Sequence, residues 1–173
     1  MVNLRSTLKL AHSLLEQNGV SHALIGGLAL ACYGSTRATV DLDLIADEIH
    51  KEKIKTIFTA NGFLLVHESI EVLQFSGIGN VDIILARRPI SKKILADANP
   101  DGPEQINFVK CEDLIGLKIQ AYANDSSREL QDKADIQFLI ENVKELDWDK
   151  IKNYADLFNQ WEVINDIKNK IKF

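Results

Sequence analysis

The chain has 173 residues, of which 46% are hydrophobic and 26% are charged, and its formal net charge is −5 at pH 7. This length and composition are typical of one compact soluble domain, or of one domain with a helical extension. No apolar run reaches about 18 residues, so we expect no membrane-spanning helix, and the first ten residues lack the apolar core of a signal peptide. The acidic balance excludes an overall basic field for nucleic acid but leaves a local basic patch open.

The cysteines and histidines indicate no metal site. Cys32 and Cys111 lie in apolar surroundings without metal-ligand spacing, which favours reduced, buried thiols in a cytoplasmic protein. The histidines also lack ligand-like spacing, and we expect none of them to act as a ligand. The histidines are His12, His22, His50 and His67.

Hydrophobic periodicity and turn residues predict the secondary structure in chain order. The N-terminal part is predicted as helix 4–17, strand 20–25, helix 28–33, a strand from 41, helix 50–61, strand 63–69, hairpin strands 72–75 and 80–85, helix 90–96 capped by Ser91, and strand 106–109. The C-terminal part is predicted as four helices. The first spans 112–124, the second spans 129–142 with a capping box from Ser126, the third begins after its cap Asp147 and ends at about 158, and the fourth spans 161–172. The turn-rich run 99–103 marks the end of the αβ part, so we predict two domains, 1–110 and 111–173, with the second packed on the first.

A glycine pair stands between the first predicted strand and the short helix. Glycine permits positive φ and close approach of another group to the backbone. A helix N-terminus also offers free N–H groups to phosphate. Gly26 and Gly27 therefore indicate either a phosphate-binding turn or only a tight strand-to-helix turn.

The next strand alternates carboxylates with leucines, as Asp41-Leu42-Asp43-Leu44. Because side chains of a strand alternate between its faces, Asp41 and Asp43 share one face. Two close carboxylates repel each other unless a cation lies between them, and Mg²⁺ prefers such oxygen ligands. The alternative is an exposed strand face with two solvated acids.

In combination these residues resemble the nucleotidyltransferases of the DNA-polymerase-β superfamily, and are closest to the AbiEii-type branch, which includes abortive-infection toxins. The resemblance is carried by Gly26, Gly27, Gly34, Arg37, Thr39, Asp41 and Asp43. It implies an α+β fold, in which a polymerase-β-like core with a short mixed sheet flanked by helices is followed by a C-terminal helical bundle. It also implies a third carboxylate on a later strand, which Asp82 matches. An acid in an apolar strand is costly to bury unless it is paired or binds metal, although a strand-end acid that reaches water is the alternative.

The resemblance implies roles for further residues. Arg37 and Thr39 would touch phosphate or metal-bound water, or only shape the turn. Lys118 lies in a mostly apolar helical run, where a lysine must reach solvent or meet an anion, and the resemblance places it at the nucleotide's phosphates. Asp132 and Asp135 are three residues apart and share a helix face, so they would orient Lys118, support the metal site, or be ordinary surface charges.

The resemblance implies a metal-dependent enzyme that moves a nucleoside monophosphate from an NTP to an acceptor hydroxyl. Asp41, Asp43 and Asp82 would hold one or two Mg²⁺ ions, with Mn²⁺ as the alternative, and Asp82 would serve as general base. The branch implies an RNA acceptor such as the tRNA 3′ end, in a toxin paired with an antitoxin. Two other readings stay open: an antibiotic-type enzyme with a small-molecule acceptor, and an inactive relative that binds a nucleotide or a partner protein.

Overall fold

The structure is a computed structural model that describes residues 3–171. Its α-helices are α1 (Leu4–Gln17), α2 (Gly26–Cys32), α3 (Lys51–Ala60), α4 (Pro89–Ala96), α5 (Cys111–Asn124), α6 (Glu129–Asn142), α7 (Trp148–Leu157) and α8 (Trp161–Lys170). Its strands are β1 (His22–Leu24), β2 (Leu42–Asp47), β3 (Leu64–Glu68), β4 (Val72–Ser76) and β5 (Val81–Ala86). Short 3-10 turns lie at Glu48–His50, Pro103–Gln105 and Ser126–Arg128.

These elements form two compact units. The first contains the residues up to Cys32 together with Thr36–Val109, and the second contains Tyr33–Ser35 and the residues from Lys110 onward. All five strands lie in the first unit, whereas α5 to α8 lie in the second. The α+β class predicted from the sequence is confirmed.

The sheet of the first unit is mixed, with strand order β1-β2-β5-β4-β3. Strands β2 and β5 are parallel, and the other neighbouring pairs are antiparallel. A parallel pair needs a crossover connection, which here consists of α3 and the β3–β4 hairpin. The crossover makes β2 and β5 neighbours although about 40 residues separate them along the chain.

Helix α1 shows how the local sequence sets an element's limits. The Asn3 side chain accepts a hydrogen bond from the Arg5 N–H at 3.0 Å and caps the first turn. One stripe of the helix is buried, and Gly19, with φ of +65°, follows its end. The predicted range 4–17 is confirmed.

An aromatic cluster joins α3 to the hairpin. The ring of Phe58 on α3 lies 4.9 Å from Phe63 and 4.8 Å from Phe75 on β4, measured between ring centroids. All three side chains are buried almost completely. Such tilted aromatic contacts stabilise beyond their buried area, so this cluster fixes the hairpin that leads into β5.

In the second unit, α5 packs against both α6 and α7. Gly116 on α5 allows the contact with α7, because a Cβ atom there would lie 2.6 Å from the Tyr154 ring. The Tyr154 hydroxyl donates to Asp113 Oδ1 at 2.5 Å, and Lys150 Nζ lies 2.7 Å from the same oxygen. A hydrogen-bonded ion pair therefore accompanies the apolar contacts of α5 with α7.

Two helix starts differ from the predictions. Helix α2 begins at Gly26 rather than at residue 28, so the glycine pair forms the first turn of the helix. Ser91 takes part in capping α4 from the third position of the helix rather than as its N-cap, since its Oγ accepts a hydrogen bond from the N–H of the N-cap residue Arg88 at 3.1 Å.

The predicted capping box from Ser126 is also wrong. Asp125 accepts from the Ser127 N–H at 3.0 Å and so caps a 3-10 turn that precedes α6. Asp147 does cap α7 as predicted, since its Oδ1 accepts from the Lys150 N–H at 2.9 Å. The predicted last helix extends to Lys172, which lies outside the described residues.

The predicted strand 106–109 is not a regular strand. Phe108 makes two isolated bridges, one parallel to Leu24 and one antiparallel to Asn99. The Leu24 N–H donates to the Asn107 carbonyl at 2.7 Å, and the Val109 N–H donates to the Leu24 carbonyl at 3.1 Å. The segment therefore lines the free edge of β1 without extending the sheet by a full strand.

Within residues 3–171, no helix is both long and apolar enough to cross a membrane.

Candidate active site

Two of the three candidate acids are direct neighbours in the sheet. Asp43 on β2 and Asp82 on β5 are Cα partners in the parallel ladder. Neighbouring strands lie about 4.8 Å apart, and residues in register project to the same face. The two carboxylates therefore lie side by side on one face of the sheet.

The third acid, Asp41, lies just before β2 and is held in place by Asn80, the residue just before β5. Its Oδ1 accepts a hydrogen bond from Asn80 Nδ2 at 3.0 Å, and the Leu42 N–H donates to the Asn80 carbonyl at 3.1 Å. Asn80 precedes Asp82 by two residues, as Asp41 precedes Asp43. The pairs Asp41–Asn80 and Asp43–Asp82 thus form two successive rungs across the same two strands.

Burial of apolar side chains turns these acids away from the core. Leu42, Leu44 and Ile83 have no exposed surface, while Asp43 and Asp82 are only half-buried. Because side chains alternate along a strand, burying the leucines places the carboxylates on the more open face. The sequence pattern of β2 is thus sufficient to orient Asp43.

A glutamine extends the row of polar side chains onto a third strand. Gln74 on β4 is the Cα partner of Asp82, and its Nε2 donates to Asp82 Oδ2 at 2.9 Å. Asp43, Asp82 and Gln74 therefore form a row across β2, β5 and β4. The amide fixes one oxygen of the Asp82 carboxylate.

Gly26 adjoins this row. Its φ is +59°, and a Cβ atom built on it would overlap the Asp43 carboxylate, lying 2.7 Å from Cγ. The Ile25 N–H also donates to the Asp43 carbonyl at 3.1 Å. Glycine is therefore required here twice, once by the left-handed backbone and once by the close approach of Asp43.

Gly27 and the loop before β2 contact each other. A Cβ atom on Gly27 would lie 2.7 Å from Thr39 Cβ, and the Thr39 hydroxyl donates to the Asp41 carbonyl at 3.3 Å. Thr39 therefore bridges the glycine turn and the residue that opens β2. Arg37 lies in the same loop with its side chain exposed.

The second unit holds Lys118, Asp132 and Asp135 together. Lys118 Nζ lies 3.2 Å from Asp132 Oδ1 and 2.6 Å from Asp135 Oδ2, and all three residues are at most 5% exposed. Arg128 Nε donates to Asp132 Oδ2 and Gln131 Nε2 to Asp135 Oδ1, both at 3.1 Å. This buried network balances two positive and two negative charges, and each carboxylate oxygen has a donor.

Gln74 and Asn80 were not singled out from the sequence. Their roles depend on which residue faces which across the ladders, and no local pattern contains this register. One local signal is the polar residue Gln74 in the otherwise apolar run Val72-Leu73-Gln74-Phe75. This signal indicates that Gln74 faces away from the core, but it does not indicate which residue Gln74 contacts.

Comparison with known proteins gives the fold a class. No protein-family model and no curated protein sequence matches the chain. The antibiotic-resistance factor ANT(2'')-Ia superposes with a TM-score of 0.70 at 11% identity, covering 96% of both chains. The lincosamide antibiotic adenylyltransferase LnuA superposes with a TM-score of 0.60 at 16% identity, covering 82% of this chain and 99% of its own.

A third similar structure is the antigenic nucleotidyltransferase-like protein from Paracoccidioides brasiliensis, with a TM-score of 0.59 at 17% identity, covering 98% of this chain and 93% of its own. ANT(2'')-Ia has also been crystallised with adenylyl-2''-tobramycin. The chain therefore has the fold of the nucleotidyltransferases, as the resemblance in its motif implied. At these identities the similarity concerns the fold.

Proposed function

We propose that the protein is a metal-dependent nucleotidyltransferase that moves a nucleoside monophosphate from an NTP to a hydroxyl group of a small molecule. The observation that carries the proposal is the placement of Asp43 and Asp82 as register partners, with Asp41 on the preceding rung and Gly26 against Asp43. A purely structural sheet has no need of adjacent carboxylates, which repel each other.

The donor set fits Mg²⁺ or Mn²⁺. The carboxylates of Asp43 on β2, Asp82 on β5 and Asp41 just before β2 offer the oxygen ligands that hard divalent ions prefer, and all three residues are only half-buried. Asp41, Asp43 and Asp82, which we call the acid row, would hold one or two such ions. A bound ion would offset the charge of the triphosphate and stabilise the departing pyrophosphate.

The chain's own groups would orient the reactants. Asp82 Oδ2 is engaged by Gln74, which leaves Oδ1 to accept the proton of the acceptor hydroxyl. The resulting oxygen bonds to the α-phosphorus while the bond to the β-phosphate oxygen breaks, and pyrophosphate leaves. Because Asp43 touches Gly26, a nucleotide held at Asp43 would also lie against the glycine turn.

The remaining candidates are assigned by charge and position. Gly26, Gly27 and Thr39 would shape the wall beside the phosphates, and the exposed Arg37 would balance their charge. Lys118 would contribute its positive charge from within its buried network, in which Asp132 and Asp135 hold its ammonium group. Those two acids are therefore proposed as supporting residues.

The choice of a small-molecule acceptor rests on the extent of the structural match to ANT(2'')-Ia. ANT(2'')-Ia, described as an antibiotic-resistance factor, matches this chain over 96% of both lengths, so the same extent of chain suffices for that class. The acidic net charge of −5 also disfavours a polyanionic acceptor. An abortive-infection role with tRNA as acceptor and an antitoxin as partner is supported by the motif Gly26 to Asp43 alone.

The test is transfer of label from each α-labelled NTP with Mg²⁺, in separate reactions with aminoglycosides, lincosamides and pooled tRNA. We expect label on a small molecule, and loss of transfer in Asp43→Asn and Asp82→Asn. The exposed residue Asp166 on α8 supplies the matched control, because Asp166→Asn removes the same charge from the second unit, which does not contain Asp41, Asp43 or Asp82.

Three results would change the proposal. Label on tRNA would move the acceptor to RNA and revive the toxin reading. Binding of NTP without transfer to any acceptor would favour an inactive nucleotide-binding relative. Transfer that persists in Asp43→Asn at the rate of Asp166→Asn would place the reaction elsewhere in the molecule.

A further inference from the structure

A second group of metal-ligating side chains lies on the first unit, on elements that the proposed reaction does not use. His12 and Glu16 are four residues apart on α1, and His22 opens β1. One ligand atom from each residue lies within 4.8 Å of the other two. The interval between His12 and His22 has no ligand-like spacing in the sequence, and only the fold brings the two rings together.

The hydrogen bonds of His22 fix which nitrogen is available to a metal. His22 Nδ1 lies 2.7 Å from the Val20 carbonyl oxygen, and because a carbonyl oxygen only accepts, Nδ1 carries the proton. In the neutral ring Nε2 is then an acceptor, and its lone pair receives the hydrogen bond from His12 Nδ1. A metal-ligating histidine normally donates its other N–H to such a carbonyl, which sets the tautomer and the ring orientation.

The surroundings of His22 favour that neutral form. Burial lowers the pKa of His22 below its usual range, and the hydrogen bond to the Val20 carbonyl and the charge of Glu16 oppose this less strongly. His22 is 6% exposed. Its Nε2 faces His12, whose Nδ1 lies 2.8 Å away.

We propose that His12 Nδ1, His22 Nε2 and the Glu16 carboxylate bind one Zn²⁺ ion. Two imidazoles and a carboxylate form a donor set that suits zinc, whereas Mg²⁺ and Ca²⁺ prefer oxygen alone. Zn–N bonds of about 2.0–2.1 Å in a tetrahedron separate two nitrogens by roughly 3.4 Å. His12 must pass from the Nδ1–H to the Nε2–H tautomer, so that its Nδ1 proton no longer occupies the ligand position. The two nitrogens must also part by about 0.6 Å from their present 2.8 Å, and the Glu16 side chain, which would turn inward, is exposed.

The site would keep a fourth position for water or a ligand. The three side chains border a cleft of about 330 Å³. The rest of its wall consists of polar side chains, which are Ser21, Gln105 and Asn107. Three protein ligands with an open fourth position define an accessible zinc site rather than a closed structural one. The ion would also join α1 to β1, the strand that leads to Gly26.

The experiment measures zinc binding to the purified, chelator-treated chain by competition with a chromogenic chelator. Excess Mg²⁺ is present throughout, so that the oxygen ligands of the acid row are occupied. We expect one Zn²⁺ per chain and a rise in Tm when zinc is added. His12→Ala and Glu16→Gln should each weaken zinc binding by at least about 100-fold, since loss of even an outer-shell partner costs 10–100-fold.

The exposed His67 on β3 supplies the control, because His67→Ala removes an imidazole far from these ligands in the sheet order and should bind zinc like the native chain. Nitrogen NMR gives a readout that does not depend on affinity: zinc should shift His12 Nδ1 and His22 Nε2, while His22 Nδ1 keeps its proton. Failure to take up zinc under these conditions would overturn the proposal, as would equal binding by His12→Ala and His67→Ala. Neither result bears on nucleotidyl transfer, which is measured separately.

Discussion

Replacement of Gly26 by alanine tests the contact on which the candidate active site depends. Gly26 has φ of +59°, and the new Cβ atom would overlap the Asp43 carboxylate. The substitution therefore has two effects, one on the backbone of Gly26 and one on the position of Asp43. The two effects have different sizes and are measured by different assays.

The backbone effect is a loss of stability. An L-residue in the left-handed region costs about 1–2 kcal/mol. For a chain of this size, each kcal/mol lowers the Tm by roughly 2–4 °C. The steric effect acts on Asp43, whose Cγ would lie 2.7 Å from the new methyl group, with Oδ2 closer still, whereas the ordinary contact distance is at least 3.4 Å. The carboxylate must therefore shift by at least about 0.7 Å, which approaches the 1 Å misplacement that costs about 100-fold in rate.

Gly19→Ala separates these effects. Gly19 has φ of +65°, but a Cβ atom on it would meet nothing within 4 Å. Both variants should lose similar stability in urea unfolding, with an additional loss in Gly26→Ala from the strain at Asp43. In the label-transfer assay, Gly19→Ala should keep the native kcat, whereas Gly26→Ala should lose roughly 100-fold. Equal kcat values in the two variants would show that the contact between Gly26 and Asp43 does not position a catalytic group.

Four further outcomes follow from the structure. If Asp41, Asp43 and Asp82 bind Mg²⁺ as proposed, the ion should raise the Tm of the native chain but not that of Asp43→Asn; equal shifts in a thermal scan would contradict this. Gln74→Ala should lower kcat about 10-fold or more with little change in KM, because it frees the Asp82 carboxylate; steady-state kinetics decide the point. Lys118→Met should cost about 3–5 kcal/mol in urea unfolding, because it removes the buried cation that both Asp132 and Asp135 contact, and exchanging both acids for amides in the same chain should restore part of that loss. Burial, with a smaller contribution from the neighbouring glutamate, raises the pKa of Cys111 to about 12, so its thiol stays protonated at pH 8 and should react with a thiol reagent only after unfolding; rapid labelling of the native chain would refute this.

Local sequence is sufficient for much of the architecture. The limits of α1 depend on an apolar stripe, a cap at Asn3 and a glycine after the last turn, all within about 16 residues. The alternation of Asp41, Leu42 and Asp43 likewise turns the leucine inward, because burial selects one face of a strand. Such features are readable because every interacting residue is close along the chain.

Where local signals competed, the sequence was less informative. The segment at Phe108 has the composition of a strand but forms only isolated bridges. At the start of α6, Asp125 rather than Ser126 accepts the capping hydrogen bond. At α6, neighbouring residues that both favour caps compete for the same position, whereas the pairing of the Phe108 segment depends on the distant residue Leu24.

The meeting of distant residues was decided by the tertiary structure alone. Asp43 adjoins Asp82 because β2 and β5 pair in parallel in one register, and a slip of one residue would have turned Asp82 to the opposite face. The pairing of His12 with His22 and the burial of Lys118 between two acids have the same origin. Periodicity tells which face a side chain occupies, but contacts between elements depend on how whole elements pack, and no short stretch of sequence contains that information.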